Sequence, residues 1–151
     1  MYTTNLPVIP FPHINAKSEY SRNNISSFPT VLVIDSDLNT VGYLNNFFEN
    51  RNFNVLKANS YSEAMDKCKE SKIDLVISEF LLGDHSCLEI TMLIRKLIPD
   101  IRVIIMSANE DLLSEKDALN FNADYFLTKP LQTERLCGII ENCLNHSESF
   151  S

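Results

Sequence analysis

Basic residues are scarce in this chain, where 13 Lys and Arg stand against 20 Asp and Glu and give a formal net charge of −7 and a pI near 4.9. Nucleic-acid phosphates are held by clustered Lys and Arg, so this balance argues against a DNA- or RNA-binding surface. Long apolar runs are also missing, since no stretch approaches the roughly 18 residues of a membrane span. The N-terminus lacks the basic-then-apolar pattern of a signal peptide. We therefore expect a cytoplasmic protein with no membrane or nucleic-acid partner.

Paired cysteine motifs are absent too. The four cysteines, Cys68, Cys87, Cys137 and Cys143, show neither C-x-x-C spacing nor a paired histidine motif. Most of them fall at positions that a helix would bury, which favours reduced, packed thiols over a disulfide framework or a zinc site.

The length and composition predict a single folded domain. The chain has 151 residues and 44% hydrophobic content, which is enough to bury one core. Residues 1–29 carry four prolines without sustained periodicity, so we expect an extended or disordered N-terminal arm there. From residue 30 onward, short β-branched runs alternate with longer amphipathic segments, a pattern typical of βα units around a parallel sheet. We expect this domain to cover residues 30–146, followed by a polar tail over residues 147–151.

Five βα units fit this region. The predicted strands lie at 31–34, 53–58, 75–78, 102–106 and 125–127, and the predicted helices are capped or begin near residues 37, 60, 86, 113 and 133. The first, third and fourth strands are nearly unbroken apolar runs, as expected for strands covered on both faces. Right-handed crossovers then favour an α/β, doubly wound, flavodoxin-like sheet of five parallel strands in the order 2-1-3-4-5, with helices on both faces.

Polar residues follow four of the predicted strands. They are Asp35 after the first, Glu79 after the third, Ser107 after the fourth, and Lys129 with Pro130 after the fifth. Ligands of open parallel sheets bind outside the carboxyl ends of the strands, so we expect these side chains to converge on one pocket.

In these positions the chain resembles the response-regulator receiver family, from about Thr30 to Asn145. Receivers usually carry two acidic residues after strand one, a phosphate-accepting Asp after strand three, Ser or Thr then Ala after strand four, and Lys-Pro after strand five. The corresponding residues here are Asp35 and Ser36, Glu79, Ser107 and Ala108, and Lys129 and Pro130. The match lies in spacing and chain order. It implies a cis Lys129–Pro130 bond.

Two of these positions depart from the family pattern. Phosphoryl transfer to a carboxylate needs an in-line nucleophile, Mg²⁺ and a cation near the transferred oxygens. Ser36 supplies a neutral hydroxyl where the family has a Mg²⁺ ligand, and Glu79 places its carboxylate one methylene farther out. We expect no cofactor beyond weakly bound Mg²⁺, held by Asp35 and Glu79.

Several of these residues also have a plainer interpretation. Glu79 is either a standing substitute for the modified aspartate, paired with Lys129, or a solvated acid at a strand end. Phe126 is either the aromatic residue that rotates inward in activated receivers or an apolar residue on an edge strand. Ser107 is either a switch hydroxyl or a loop serine. His85 is expected to be an exposed loop histidine.

The resemblance implies a stand-alone signalling module of a two-component phosphorelay that is not an enzyme and works independently of phosphorylation. It would act in trans on a protein partner, a histidine kinase or an output protein, through the family's face of helix 4, strand 5 and helix 5. One alternative is a receiver or phosphorelay intermediate that accepts phosphate with Mg²⁺. Another is a flavodoxin-type flavin-binding protein, although the acidic loop from Asp35 to Thr40 would repel the phosphate of its cofactor.

Overall fold

The computed structural model describes residues 28–83, 85–108 and 122–149. The main sheet contains β1 (Thr30–Ile34), β2 (Asn54–Ala58), β3 (Leu75–Glu79), β4 (Arg102–Ser107) and β5 (Tyr125–Thr128). The described helices are α1 (Leu38–Glu49), α2 (Tyr61–Glu70), α3 (Cys87–Leu97) and α4 (Thr133–Ser149). All five predicted strands are present, whereas the helix expected over 113–121 and most of the N-terminal arm lie outside the described residues.

The five strands form one parallel sheet in the order β2-β1-β3-β4-β5. The predicted strand order and the doubly wound, flavodoxin-like fold are therefore confirmed. The strand order reverses between β1 and β3, because β2 is added on one side of β1 and the later strands on the other. Ligands of such sheets bind at this switch point.

Two hydrophobic clusters cover the two faces of this sheet. Because successive strand residues point to opposite faces, Val31 and Val33 pack toward α1 and α4, whereas Leu32 and Ile34 pack toward α2 and α3. The four residues are fully buried. The apolar layers hold β1, β3 and β4 in the middle of the sheet and fix the edge at which the polar strand ends meet.

Side-chain caps begin the first three helices as the sequence predicts. Asp37 caps α1, and Ser60 caps α2 by accepting a hydrogen bond from the backbone N–H of Glu63 at 3.1 Å. Ser86 caps α3 through the N–H of Glu89 at 3.4 Å. These caps satisfy backbone donors that have no partner inside the helix.

Two features differ from the predictions. The loop after β3 contains a short antiparallel hairpin, in which Leu81–Leu82 pairs with His85–Ser86 and Gly83 turns with φ +64°. Strands of two residues are too short to show periodicity in the sequence. Helix α4 continues to Ser149 instead of ending near Asn145, because no Gly or Pro follows to stop it. The boundary expected between domain and tail therefore falls inside α4.

The described cysteines are packed thiols, as predicted. Cys68 and Cys143 are buried and Cys137 is half-buried, and none of the three forms a disulfide. Burial raises the pKa of Cys68 to about 11 and is the main cause that raises the pKa of Cys143 to about 12. Both thiols therefore stay protonated. The side chain of Cys87 lies outside the described set.

Within the described part of the chain, no helix has the length and apolar character needed to cross a membrane.

Candidate functional site

Asp35 lies at the floor of the candidate site. It follows β1 directly, and its backbone N–H donates to the carbonyl of Ala58 at 3.1 Å, which extends the strand ladder by one residue. The side chain is fully buried. Its Oδ1 accepts a hydrogen bond from the N–H of Asp37 at 2.8 Å, and its Oδ2 accepts one from Nζ of Lys129 at 2.9 Å. A buried carboxylate needs such partners, because burial without them is costly.

Lys129 enters the site from the far side of the sheet. It follows β5, its N–H donates to the carbonyl of Ser107 at 2.9 Å, and the Lys129–Pro130 peptide bond is cis, as the resemblance implied. The lysine side chain is only 15% exposed and forms an ion pair with Asp35. The sequence favoured Glu79 as its partner, whereas the hydrogen bond goes to Asp35.

Glu79 lies beside Asp35 on the neighbouring strand. Ile34 and Ser78 are partners in the register of β1 and β3, and Asp35 and Glu79 each follow one of them. One carboxyl oxygen of Glu79, Oε1, is buried and has no hydrogen-bond partner among the residues that the structure describes. Glu79 is therefore a half-buried acid inside the pocket rather than a solvated acid at a strand end.

The surroundings of Glu79 disfavour its charged form. Desolvation raises the pKa of Glu79 to about 7, and the neighbouring Asp35 acts in the same direction. The charge of Lys129 and the backbone N–H of Ser36 oppose this rise. Lys129 is already paired with Asp35, so the pocket holds one carboxylate firmly and leaves the second one partly protonated near neutral pH.

The described groups of the pocket offer Mg²⁺ few oxygens that are free of other interactions. Mg²⁺ requires nearly octahedral oxygen ligation, and no group of three or more His, Cys, Asp or Glu side chains in the described ranges is arranged to hold a metal ion. Both oxygens of Asp35 accept hydrogen bonds from the protein. Ser36 adds only an exposed, neutral hydroxyl. Asp35 and Glu79 would therefore have to give up existing interactions or a proton to bind the ion.

The remaining predicted site residues occupy different environments. Ser107 ends β4 with 3% exposure, and its carbonyl accepts the hydrogen bond from Lys129, so it belongs to the pocket wall. Phe126 is 6% exposed and packs in the hydrophobic cluster beneath α2 and α3. This inward position agrees with both interpretations of the aromatic ring. Asp37 caps α1, as expected.

The hairpin after β3 is held against α2 by two rings. The imidazole of His85 stacks on the ring of Tyr61, with centroids 4.2 Å apart and planes inclined by 20°. Its Nδ1 also lies 3.3 Å from Oε1 of Glu89. His85 is a partly exposed loop histidine, as predicted, and it anchors the hairpin beside the site.

A groove that the sequence did not reveal opens next to the pocket. Its volume is about 490 Å³, and it lies between the first turns of α1 and the segment that joins β5 to α4. Its apolar lining comes from Tyr43, Ala108, Pro130 and Leu131. The polar residues Asp37, Asn39, Thr40 and Lys129 complete the lining. In the sequence, Tyr43 is only a helical position one turn after Asn39. Nothing in the sequence alone indicates that the start of α1 lies next to the segment that joins β5 to α4.

Comparisons of the sequence and of the structure with known proteins all point to the same family. The family model for the response regulator receiver domain matches residues 31–141. The transcriptional regulatory protein ZraR of Escherichia coli is 29% identical over 120 residues, which cover 80% of this chain and 27% of that protein. The chain thus spans about a quarter of the length of this curated relative.

Solved structures agree. A response regulator receiver domain protein from Clostridium thermocellum superposes with a TM-score of 0.75 at 27% identity, over 82% of this chain and 100% of the other. A two-component response regulator from Clostridium difficile gives a TM-score of 0.71 at 30% identity, over 78% of this chain and 96% of the other.

Proposed function

The chain belongs to the response regulator receiver domain family, a family of signalling modules, and from this premise we propose that it is an atypical receiver that binds a protein partner without accepting phosphate. The observation that carries the proposal is the state of Glu79. This residue occupies the position that the family resemblance assigns to the phosphate-accepting aspartate, and one of its oxygens is buried without a hydrogen-bond partner in the described part of the chain.

Three properties of the pocket oppose phosphoryl transfer. The carboxylate of Glu79 projects one methylene farther than that of an aspartate, and a misplacement of about 1 Å can cost roughly a hundredfold in rate. Its raised pKa lowers the fraction of the nucleophilic, charged form near neutral pH. Lys129, the cation that would stabilise transferred oxygens, is already paired with Asp35.

The same groups give the pocket a permanent internal charge arrangement. The ion pair of Lys129 with Asp35 links the ends of β1 and β5 without any added phosphate. We therefore propose that Glu79 is a lasting substitute for the modified aspartate, and that the ion pair of Asp35 with Lys129 holds the backbone around the pocket in one state whether or not Glu79 is protonated. Ser107, Phe126 and Pro130 support that state by packing.

We propose that the receiver begins at residue 30 and includes the whole of α4, which reaches Ser149, and that residues 1–29 form a separate arm. The partner is a histidine kinase or an output protein, and ZraR, whose name is transcriptional regulatory protein, illustrates one class of output. Two parts of the proposed contact face are described: β5, and α4, which corresponds to helix 5 of the family. The expected segment 112–121 of that face lies outside the described residues. Because the receiver family model matches residues 31–141, we no longer favour the flavin-binding alternative.

The proposal is tested by intact-mass measurement after the full chain is incubated with a small phosphodonor and Mg²⁺. A receiver with an aspartate acceptor serves as the positive control. We expect the mass of this chain to remain unchanged while the control gains a phosphoryl group. A stoichiometric adduct located on Glu79 would instead establish the phosphate-accepting alternative.

A further inference from the structure

The groove beside the pocket is a preformed surface with an aromatic wall. The Tyr43 hydroxyl and Thr133 Oγ1 are hydrogen-bonded at 2.6 Å, so the ring is tied to the start of α4. The Tyr43 and Phe47 rings also pack with centroids 6.3 Å apart. Tyr43 nevertheless keeps 36% of its surface exposed and is one of the residues that line the groove. Pro130 and Leu131 form the opposite side.

The N-terminal arm contains a segment whose chemistry fits such a surface. Residues 6–12 have the sequence Leu-Pro-Val-Ile-Pro-Phe-Pro, in which Pro7 and Pro10 form a P-x-x-P pattern. Segments of this kind favour the polyproline II conformation and bind aromatic-lined grooves at a low entropic cost. We propose that residues 6–12 of this chain bind in cis in the groove formed by Tyr43, Pro130 and Leu131.

The arm is long enough to reach the groove. Phe28 lies beside the start of β1, and the groove lies at the opposite end of that strand, which spans about 17 Å for its five residues. Pro10 and Phe28 are 18 positions apart in the sequence. A chain of that length has a root-mean-square span of about 23 Å, which exceeds the length of β1.

The covalent tether and the charge of the arm both favour the arm as the occupant of the groove. A tether of matching span gives an effective concentration of about 1 mM, so even a weak intrinsic affinity would fill the groove. Residues 1–27 carry two basic and one acidic side chain, whereas the whole chain has a net charge of −7. At the groove rim, hydrogen bonds from Asn39 and Thr40 lower the pKa of Asp37, which keeps this carboxylate charged.

Binding of the arm would also cover Lys129, because its side chain lines the groove while its Nζ holds Asp35. This inference does not depend on whether Glu79 accepts phosphate.

The test is photo-crosslinking in the full chain, with p-benzoylphenylalanine in place of Phe11 and peptide mapping by mass spectrometry. The matched probe replaces Tyr20, an aromatic residue of the same arm outside the proline segment. We expect the probe at position 11 to label peptides 38–49 and 129–136 within one chain, and the probe at position 20 to label them much less. Tyr43→Ser should lower the yield about tenfold, whereas Tyr43→Phe should preserve it.

A substitution in the arm protects this test against misfolding of the Tyr43 variant. Val8→Asp combined with Ile9→Asp leaves the described domain untouched and should cause the same loss of crosslinks. Labelling of other segments, such as 87–97, or equal yields in all variants would overturn the proposal. Crosslinks between two chains that increase with protein concentration would overturn it too, because the occupant would then be the arm of a second copy.

Discussion

Glu79 and Lys129 are the two residues whose surroundings carry the chemical argument. The first is an acid that the pocket disfavours as an anion, and the second is a cation used to neutralise a different acid. Each side chain leads to a separate prediction about the stability of the fold.

Replacing Glu79 with Gln should remove a pH dependence. The pKa of Glu79 lies at about 7 in the folded chain against an ordinary value of 4.5, so between these values the folded state binds more protons than the unfolded state. The free energy of unfolding contributed by Glu79 therefore falls as the pH rises through this window. Since the side chain is partly exposed, we expect Glu79→Gln to be more stable than the parent by about 1 kcal/mol near about pH 8.

Urea unfolding near about pH 5 and about pH 8 measures this effect, with the exposed Glu49→Gln as a control that should follow the parent. The prediction is wrong if Glu79→Gln loses stability with rising pH as steeply as the parent does.

Lys129→Met should destabilise the fold, because it leaves a fully buried carboxylate at Asp35 without its cation. We expect a loss of about 3 kcal/mol. The double variant Asp35→Asn with Lys129→Met should lose less than the single variant, since no uncompensated charge stays buried. Equal unfolding midpoints for Lys129→Met and the parent would show that the ion pair contributes little.

At the scale of elements, the helix starts are the features that the sequence determines most directly. Ser60 accepts from the N–H of Glu63, and the Glu63 carboxylate accepts from the N–H of Asn59 at 2.8 Å. The reciprocal bond thus falls one residue before the cap itself. Both hydrogen bonds satisfy backbone N–H donors at the start of α2.

Ser60→Ala should therefore cost about 1 kcal/mol of unfolding free energy. Ser62→Ala, an exposed change in the first turn of the same helix, is the matched control and should be nearly neutral. Urea midpoints of the two variants decide the question, and equal midpoints would mean that the cap does not stabilise α2.

Elements that depend on contacts across the chain were harder to predict. The hairpin at 81–86 is stabilised by stacking of His85 on Tyr61, two residues 24 positions apart. The partner of Lys129 also depends on the third dimension, because Asp35 and Glu79 lie side by side and burial decides which one takes the lysine. Local patterns contain neither fact.

At the scale of the whole molecule, two apolar layers on one parallel sheet bring the strand ends together. The unbroken apolar runs of β1, β3 and β4 favoured this arrangement, because strands covered on both faces of a parallel sheet typically have that composition. The carboxyl-edge pocket followed from the strand order. The groove at Tyr43 did not, since its walls come from segments about ninety residues apart.

Phosphoryl incorporation into four proteins compares the substituted pocket with a restored one. They are the parent, Ser36→Asp, Glu79→Asp and the double variant, each incubated with a small phosphodonor and Mg²⁺ and weighed by intact-mass spectrometry. Each single change leaves one defect in place, so the gain should be strongly non-additive. We predict that only the double variant takes up a phosphoryl group, on Asp at position 79. Uptake by the parent, or a well-folded double variant that takes up none, would contradict the proposed pocket.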